Sequence, residues 1–398
     1  MSKEENRKNF SKYVSQNILG MIGFSCYVLA DSYFISIAKG ADGLTALNLV
    51  MPLYSIIFSI GEMIGVGSAI RYAISKIKKD ADADDYFWNA LIWCILSSML
   101  FVFAGIFFSA DIMRVLGADE HIVAVGNNYT KIFMCFAPMF MCNYVTNAFV
   151  RNDGAPGIAM SATLFSSLFN IVFDYILMFP MNLGMEGAAL ATALSPIIGM
   201  GICSIHFFSK KSSVRLVVCK PSVRKLVAGS PLGGTAFVGE MSSAVITLAF
   251  NFVILKLAGN VGVAAYGVVA NIAIVTTAVF NGVAQGSQPL ISSCFGRGDK
   301  DGCTQLKRMG YTTAFVLAAV MYSILFIFAG QFVAVFNSEG SEMLRLYATE
   351  GVKLYFIGIF FAGINIVGGG AFSATEDAFK AAVVSVGRGF VLIFCAGF

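Results

Sequence analysis

The chain has 398 residues, of which 57% are hydrophobic and only 13% charged, and its formal net charge is +4. A soluble domain usually carries about 25% charged residues, so these charges are too few to cover the surface of a soluble protein of this length. The composition also excludes a disordered chain or a coiled coil. It predicts an all-α polytopic membrane protein that lies in the lipid bilayer. The small positive charge forms no basic patch, so nucleic acid is not expected as a partner.

The histidines and cysteines argue against the common enzyme and metal sites. The only histidines are His121 and His206, and the nine cysteines form no C-x-x-C pair. A zinc site or a catalytic triad is therefore not expected. No pairing of a nucleophile with a base stands out either. We expect no enzyme activity, no cofactor, and no metal other than Na⁺.

Apolar stretches bounded by charged or turn residues predict eleven membrane-spanning helices. In chain order they cover 13–38, 44–70, 86–110, 122–149, 157–180, 185–209, 230–257, 262–293, 308–335, 344–371 and 377–398. The polar, basic start of the chain has no small-residue cleavage site, so the first stretch is predicted to be a retained span. The last stretch runs to Phe398 without a polar tail. We therefore expect that a twelfth helix is missing.

The distribution of lysine and arginine predicts the orientation in the membrane. If the N-terminus is cytoplasmic, the inner segments hold 20 basic residues and the outer segments hold four, with three more inside predicted helices. Because basic residues are retained on the cytoplasmic side, this bias predicts a cytoplasmic N-terminus.

Internal repetition divides the chain into two lobes. A shift of 219 residues places Gly43, Ala46, Val50 and Gly67 on Gly262, Ala265, Val269 and Gly286. The basic stretch 210–229 is the predicted cytoplasmic linker between an N-terminal lobe, residues 1–209 with spans one to six, and a C-terminal lobe, residues 230–398 with spans seven to eleven. A repeat of six spans predicts two pseudo-symmetric six-helix lobes, the second incomplete, related by an axis along the membrane normal.

One layer of the first lobe collects polar side chains at similar depth. Asp31 lies about 10 Å below the outer end of span one, from a rise of about 1.5 Å per residue. Asp174 in span five, with Asn170 one turn away, and Tyr129 and Thr192 in spans four and six lie at comparable depth. Two neighbouring acids do not both ionise cheaply, so one is expected to hold H⁺ or to bind Na⁺. The alternative is a buried hydrogen-bonded network that only fixes the helix packing.

Two further acids are predicted inside the membrane. Glu240 lies near the middle of span seven among small residues, which indicates a cation or substrate site facing a cavity; the alternative is a protonated glutamic acid bonded to a neighbouring helix. Glu62 lies deeper toward the cytoplasm in a glycine-rich run. For Glu62, packing or gating is favoured over ligand binding.

Span eight is unusually polar for a membrane helix. Asn271, Gln285 and Gln288 are predicted either to line a central cavity or to form hydrogen bonds between helices. Pro289 follows Gln288 and is expected to kink the span, because proline removes a backbone donor. We place Pro289 with Glu62 among the gating or packing residues.

Several motifs, in order along the whole chain, resemble the multidrug and toxic compound extrusion (MATE) transporters, and most closely their bacterial drug-efflux branch. They are ADSYF at 30–34, DGLTAL at 42–47, RNDGAP at 151–156, NIVFD at 170–174, GMEGAALAT at 184–192, GVVAN at 267–271 and QGSQPL at 285–290.

The resemblance implies two six-helix lobes around a central cleft and a secondary active antiporter. Such a protein exports small cationic, lipophilic compounds in exchange for H⁺ or Na⁺ by alternating access. The resemblance also implies a cation site at Asp31, Tyr129, Asn170, Asp174 and Thr192, the same layer that depth alone selects. It further implies a multi-pass protein of the bacterial cell membrane, which we expect to be a monomer. The alternative is a lipid-linked oligosaccharide flippase, but that function would call for more basic residues within the membrane.

Overall fold

The computed structural model describes residues 3–336 and 341–387. Within these ranges it is helical and contains no strand. We number the helices by span: α1 Lys3–Gly40, α2 Asp42–Lys78, α3 Asp85–Val115, α4 Glu120–Cys135 with Ala137–Asn152, α5 Pro156–Met178, α6 Gly184–Phe207, α7 residues 223–258, α8 Val261–Gly296, α9 Lys300–Ile327 with Ala329–Phe336, α10 Glu342–Tyr355 with Ile359–Ser373, and α11 Ala378–Val386.

The predicted polytopic fold is confirmed. Eight helices of the described chain are long and apolar enough to cross a membrane, and the bent pair that forms α4 makes a ninth. The two remaining predicted spans are α7 and α11. Of the predicted last span, residues 377–398, the part from 388 onward lies outside the described residues, as does its predicted end without a polar tail.

Matching glycines break the helix in both halves of the chain. Gly40 separates α1 from α2 with φ 60° and ψ −141°, and Gly259 separates α7 from α8 with φ 62° and ψ −157°. Glycine is the residue that adopts positive φ at no steric cost. The two glycines are separated by the repeat distance of 219 residues, so the predicted repetition extends to the backbone conformation.

Helices of each half pack mainly with one another around their own apolar cores. One core joins residues of α8, α9 and α10, and it also takes up Phe10 and Val14 from the start of α1. Two further cores lie mainly among α1 to α6, and one of them also takes up Val214 of the linker and Leu232 of α7. The most extensive contact between the halves joins α1 and α2 to α7 and α8.

The halves meet closely at the end of the molecule where the chain begins. A Cβ on Gly67 of α2 would lie 2.9 Å from the backbone nitrogen of Gly233 in α7. The repeat relates this contact to a second one, because Gly286 corresponds to Gly67 and Val14 corresponds to Gly233. A Cβ on Gly286 of α8 would lie 2.8 Å from Cα of Val14 in α1. Arg71 at the end of α2 also forms an ion pair with Glu376, just before α11. The two lobes are therefore closed against each other on this side.

Proline accompanies a bend in one span but not a break in another. α4 bends by 46° at the junction before Ala137, where Pro138 lies in the first turn of the next helical segment and has no N–H to donate. Pro289, in contrast, lies in continuous helix, because the non-helical backbone angles of the α7–α8 stretch are at Gly259. The predicted kink at Pro289 therefore does not interrupt α8.

Candidate functional site

The structure brings Asn170, Asp174 and Thr192 into one buried cluster. All three are at most 2% exposed. Asn170 and Asp174 stack one helical turn apart on α5, and Thr192 faces them from α6. With its amide oriented to donate to the acid, the Asn170 nitrogen lies 3.1 Å from Asp174 Oδ2, and its oxygen accepts from Thr192 Oγ1 at 3.2 Å.

Asp31 of α1 completes a pair of acids with Asp174. The two carboxyl groups are close enough to interact electrostatically, and Asp31 is only 7% exposed. Oδ1 of each acid is buried without a hydrogen-bond partner among the described residues. Buried oxygens that accept no hydrogen bond are costly, so the pair is suited to take up a proton or a hard cation such as Na⁺.

Tyr129 lies beside the acid pair and has a partner that the sequence analysis missed. Its hydroxyl is hydrogen-bonded to that of Tyr54 from α2, and both tyrosines interact electrostatically with Asp31 and Asp174. The Tyr54 ring stacks on Phe133 with a centroid separation of 3.6 Å. The only sequence signal for Tyr54 is a phenol within an otherwise apolar run.

A second polar region lies between the two lobes. It is a cavity of about 80 Å³ lined by Glu62 of α2, Glu240 of α7, and Gln285 and Gln288 of α8, together with small and polar neighbours. Four of the residues predicted for a cavity or gate therefore share one space. Asn271 and Pro289 lie outside its lining. Glu62, predicted for packing or gating, reaches the cavity itself.

A hydrogen-bonded chain crosses the lobe boundary at this cavity. The Arg151 guanidinium at the end of α4 donates to Gln285 Oε1 at 2.7 Å, and Gln285 Nε2 donates to Glu62 Oε1 at 3.0 Å. Arg151 is only 4% exposed. The predicted end of span four at residue 149 places it in an inner segment, but α4 continues to Asn152 and buries it.

Tyr27 lies one helical turn before Asp31 on α1. It is close enough to Asp31, Asp174 and Glu240 to interact electrostatically with all three. The acids of the first lobe and the acid of the second are therefore neighbours across the lobe boundary. Depth counted along single helices did not reveal this connection.

Repeated helical lobes that enclose buried acids and an acidic cavity define a membrane transporter of the parallel-repeat type. A family model described as MatE matches residues 17–176 and again residues 236–395. The chain belongs to this MatE family, which is the family that its motifs resemble. The second match begins at residue 236, at the repeat distance from the first. Members of the family are transporters and not enzymes.

Curated relatives and solved structures agree with this membership. The chain is 25% identical over 383 residues to the multidrug export protein MepA of Staphylococcus saprophyticus and 26% identical over 388 residues to MepA of Staphylococcus aureus strain MRSA252, in each case over 94% of this chain and 83% of the relative. Both relatives are bacterial.

Two solved structures share the fold. An outward-facing multidrug resistance MATE family transporter of the MOP superfamily superposes with a TM-score of 0.90 at 20% identity, over 97% of this chain and 86% of the other. A MOP superfamily transporter from Pyrococcus furiosus superposes with a TM-score of 0.89 at 20% identity, over 98% and 88%. The likeness confirms the architecture of two helical lobes.

Proposed function

We propose that this protein is a multidrug efflux antiporter of the bacterial cell membrane. It exports small cationic, lipophilic compounds and takes up H⁺ or Na⁺ in exchange. The observation that carries the proposal is the pair of buried acids, Asp31 and Asp174, each with a carboxyl oxygen that has no hydrogen-bond partner among the described residues, together with the acidic cavity between the lobes. The names of the MepA relatives support drug export as the transported class.

The coupling follows from the electrostatics of the two regions. An ion bound at the first-lobe acids neutralises negative charge close to the cavity, and a cationic substrate in the cavity gains from that negative charge. Ion and substrate therefore favour different states of the protein, which is the condition for exchange. Each charge moved across the membrane contributes about 2.3 kcal/mol per 100 mV.

The cavity distinguishes this proposal from a lipid-linked oligosaccharide flippase. Binding of a diphosphate calls for cationic side chains. The described lining of the cavity carries Glu62 and Glu240 and no lysine or arginine, and the nearby Arg151 is engaged by Gln285. An acidic lining favours a cationic substrate.

The proposed topology places the N-terminus and the linker 210–229 in the cytoplasm, with lobes at 1–209 and 230–398 and the monomer as the functional unit. Reagents that label cysteine and do not cross membranes test this orientation. In a variant whose nine native cysteines are replaced by serine, cysteine in place of Ser212 in the linker is expected to react only in inside-out vesicles, and labelling from the outside would refute the topology.

The transport test is accumulation of ethidium in cells that express the protein, with and without a protonophore and with Na⁺ replaced by K⁺. Asp31→Asn and Asp174→Asn are expected to abolish export at unchanged membrane expression. The matched control is Asp111→Asn, which changes an exposed acid. Loss of ethidium export in the presence of the protonophore indicates H⁺ coupling. Loss of export when Na⁺ is replaced by K⁺ indicates Na⁺ coupling. Export by both acid variants at the parent rate would refute the mechanism.

A further inference from the structure

A second, larger concavity lies away from the transport site. It is a groove of about 1010 Å³ between the first turns of α1 and α9, at the end of the molecule where the chain begins. One wall belongs to each lobe, and the lobes are joined there by a hydrogen bond from Asn6 Nδ2 to Gln305 Oε1 at 3.2 Å. The groove is open, and its lining belongs to neither the acid pair nor the central cavity.

The rim of the groove is basic. Lys3 and Arg7 lie one turn apart on α1, and Arg308 faces them from α9; all three are exposed. None of them forms an ion pair with another residue of the described chain. A single carboxylate in the lining, that of Asp301, opposes these three cations.

The polarity of the lining changes along the two helices. From the basic rim the walls pass to hydroxyl side chains, among them Ser15 and Thr312, and then to the apolar Ile18 and Leu317. Ile18 and Leu317 lie within the apolar stretches predicted to cross the membrane. A ligand that fills the groove therefore needs an anionic end and an apolar end.

The surface related to this groove by the repeat is covered by protein. There the linker lies over the first turns of α3 and α7, with the Arg215 amide donating to Asp84 at 3.1 Å and the Ser222 amide donating to Asn89 at 3.4 Å. In the repeat register, Ser222 corresponds to Lys3 and Asn89 to Arg308. The groove between α1 and α9 is left uncovered by the described chain. It carries Lys3 and Arg308 where the repeat-related surface carries Ser222 and Asn89.

We propose that the groove between α1 and α9 binds an anionic phospholipid. The phosphate lies among Lys3, Arg7 and Arg308, and an acyl chain runs past the hydroxyl side chains toward Ile18 and Leu317. Basic pockets between membrane helices bind anionic lipid headgroups in this way. With one wall in each lobe, the bound lipid holds the lobes together on the side where they are already closed.

Binding of phosphatidylglycerol to the purified full-length chain in detergent, followed by native mass spectrometry, tests the proposal. Phosphatidylglycerol is expected to bind with a higher affinity than phosphatidylcholine of the same acyl chains. Each basic side chain near an anionic surface contributes about fivefold, so Arg7→Gln with Arg308→Gln is expected to weaken binding about thirtyfold. Lys210→Gln with Lys211→Gln removes the same charge from the exposed linker and is the matched control. Equal affinity in the two double variants would overturn the proposal.

A second variant separates the groove from general electrostatics and from misfolding. Thr312→Trp fills the groove at an exposed position without changing charge and is expected to exclude phosphatidylglycerol while the thermal unfolding temperature stays that of the parent protein. Inorganic phosphate is expected not to compete at concentrations comparable with the lipid, because it lacks the apolar end. Full competition by inorganic phosphate, or lipid binding to the Thr312→Trp variant at parent affinity, would refute a phospholipid site. Each outcome is independent of whether the protein exports ethidium.

Discussion

Gly233 controls how closely the two lobes approach each other. It lies in α7 against the backbone of α2, and a Cβ at this position would be 2.7 Å from the carbonyl carbon of Met63. Carbon atoms pack best at about 3.5 Å or more, and the carbonyl oxygen of Met63 lies closer still to the added Cβ, so Gly233→Ala requires the helices to separate by more than about 0.8 Å. Forcing an additional methyl group into such a contact costs about 1–3 kcal/mol. We expect Gly233→Ala to destabilise the closed side by this amount.

The neighbouring glycine provides the matched control. Gly234 is also in the interior of α7, but a Cβ there meets nothing within 4 Å. Both substitutions bring the same gain in helix propensity, about 1 kcal/mol, so their difference reports only the contact with Met63. A difference of 1–3 kcal/mol corresponds to a change of about 5- to 150-fold in the population of the open state.

The assay is the labelling rate of a cysteine placed in the cavity of a variant whose nine native cysteines are replaced by serine. Asn281→Cys adds a thiol to the cavity lining, and a maleimide that does not cross membranes is applied to inside-out and to right-side-out vesicles. In the Gly233→Ala background the rate from the side where the chain begins is expected to rise within the stated range, and in the Gly234→Ala background it is expected to stay at the parent value. Equal rates in the two backgrounds would show that this glycine contact does not close the lobes.

Two further predictions concern a buried phenol and a helix cap. Tyr54→Phe leaves the buried Tyr129 hydroxyl without its partner and is expected to lower the free energy of unfolding by about 1–3 kcal/mol, measured by denaturant unfolding. Tyr54→Phe with Tyr129→Phe leaves no hydroxyl unpaired and should be no less stable than the Tyr54→Phe variant; losses of the two single variants that add in the double variant would contradict a shared hydrogen bond. Hydrogen bonds from the Lys380 side chain and amide hold the pKa of Asp377 below its usual value of 3.8, so this cap of α11 is in place at neutral pH. Asp377→Ala is therefore expected to speed hydrogen exchange of the Lys380 amide at pH values above 3.8. The difference in exchange rate between the variant and the parent protein should vanish as the pH falls through the lowered pKa of Asp377. A difference that persists below that pKa would point to another cause.

The sequence predicts the parts of this fold that depend on position along one helix. Hydropathy places the spans, and the repeat distance relates Gly43 to Gly262 and Gly67 to Gly286 before any backbone angle is known. Asn170 and Asp174 are predicted to share a face because they are one turn apart. Their depth, counted by helical rise, also brings Thr192 of the next helix to the same layer, and the structure places it within hydrogen-bonding distance.

The missed residues depend on how helices are rotated against one another. Hydropathy does not indicate which way the Tyr54 side chain points. Its hydrogen bond to Tyr129 joins residues that are 75 positions apart in the chain. Charges usually bound a span, which predicts Arg151 in an inner loop. Its burial requires the continuation of α4 and the facing amide of Gln285 on the other lobe, and neither is encoded by the local pattern. Asn271 is not in the lining of the cavity, so of its two predicted roles the hydrogen bonding between helices remains open, since a polar residue in a polar span does not have to face the cavity.

The repeat is conserved in the backbone and has diverged in charge. The equivalent lobe contacts at Gly67 and Gly286 and the breaks at Gly40 and Gly259 give the two lobes similar shapes and similar hinges. Yet the repeat position of Asp31 is Phe250, whose ring stacks on Tyr266 with a centroid separation of 5.3 Å. Two similar bodies can rock against each other about the pseudo-axis, but of these two equivalent positions only the one in the first lobe carries an acid. Under the proposed function this asymmetry gives the symmetric motion a direction, because an ion bound at the acids of one lobe would change the balance between the two end states.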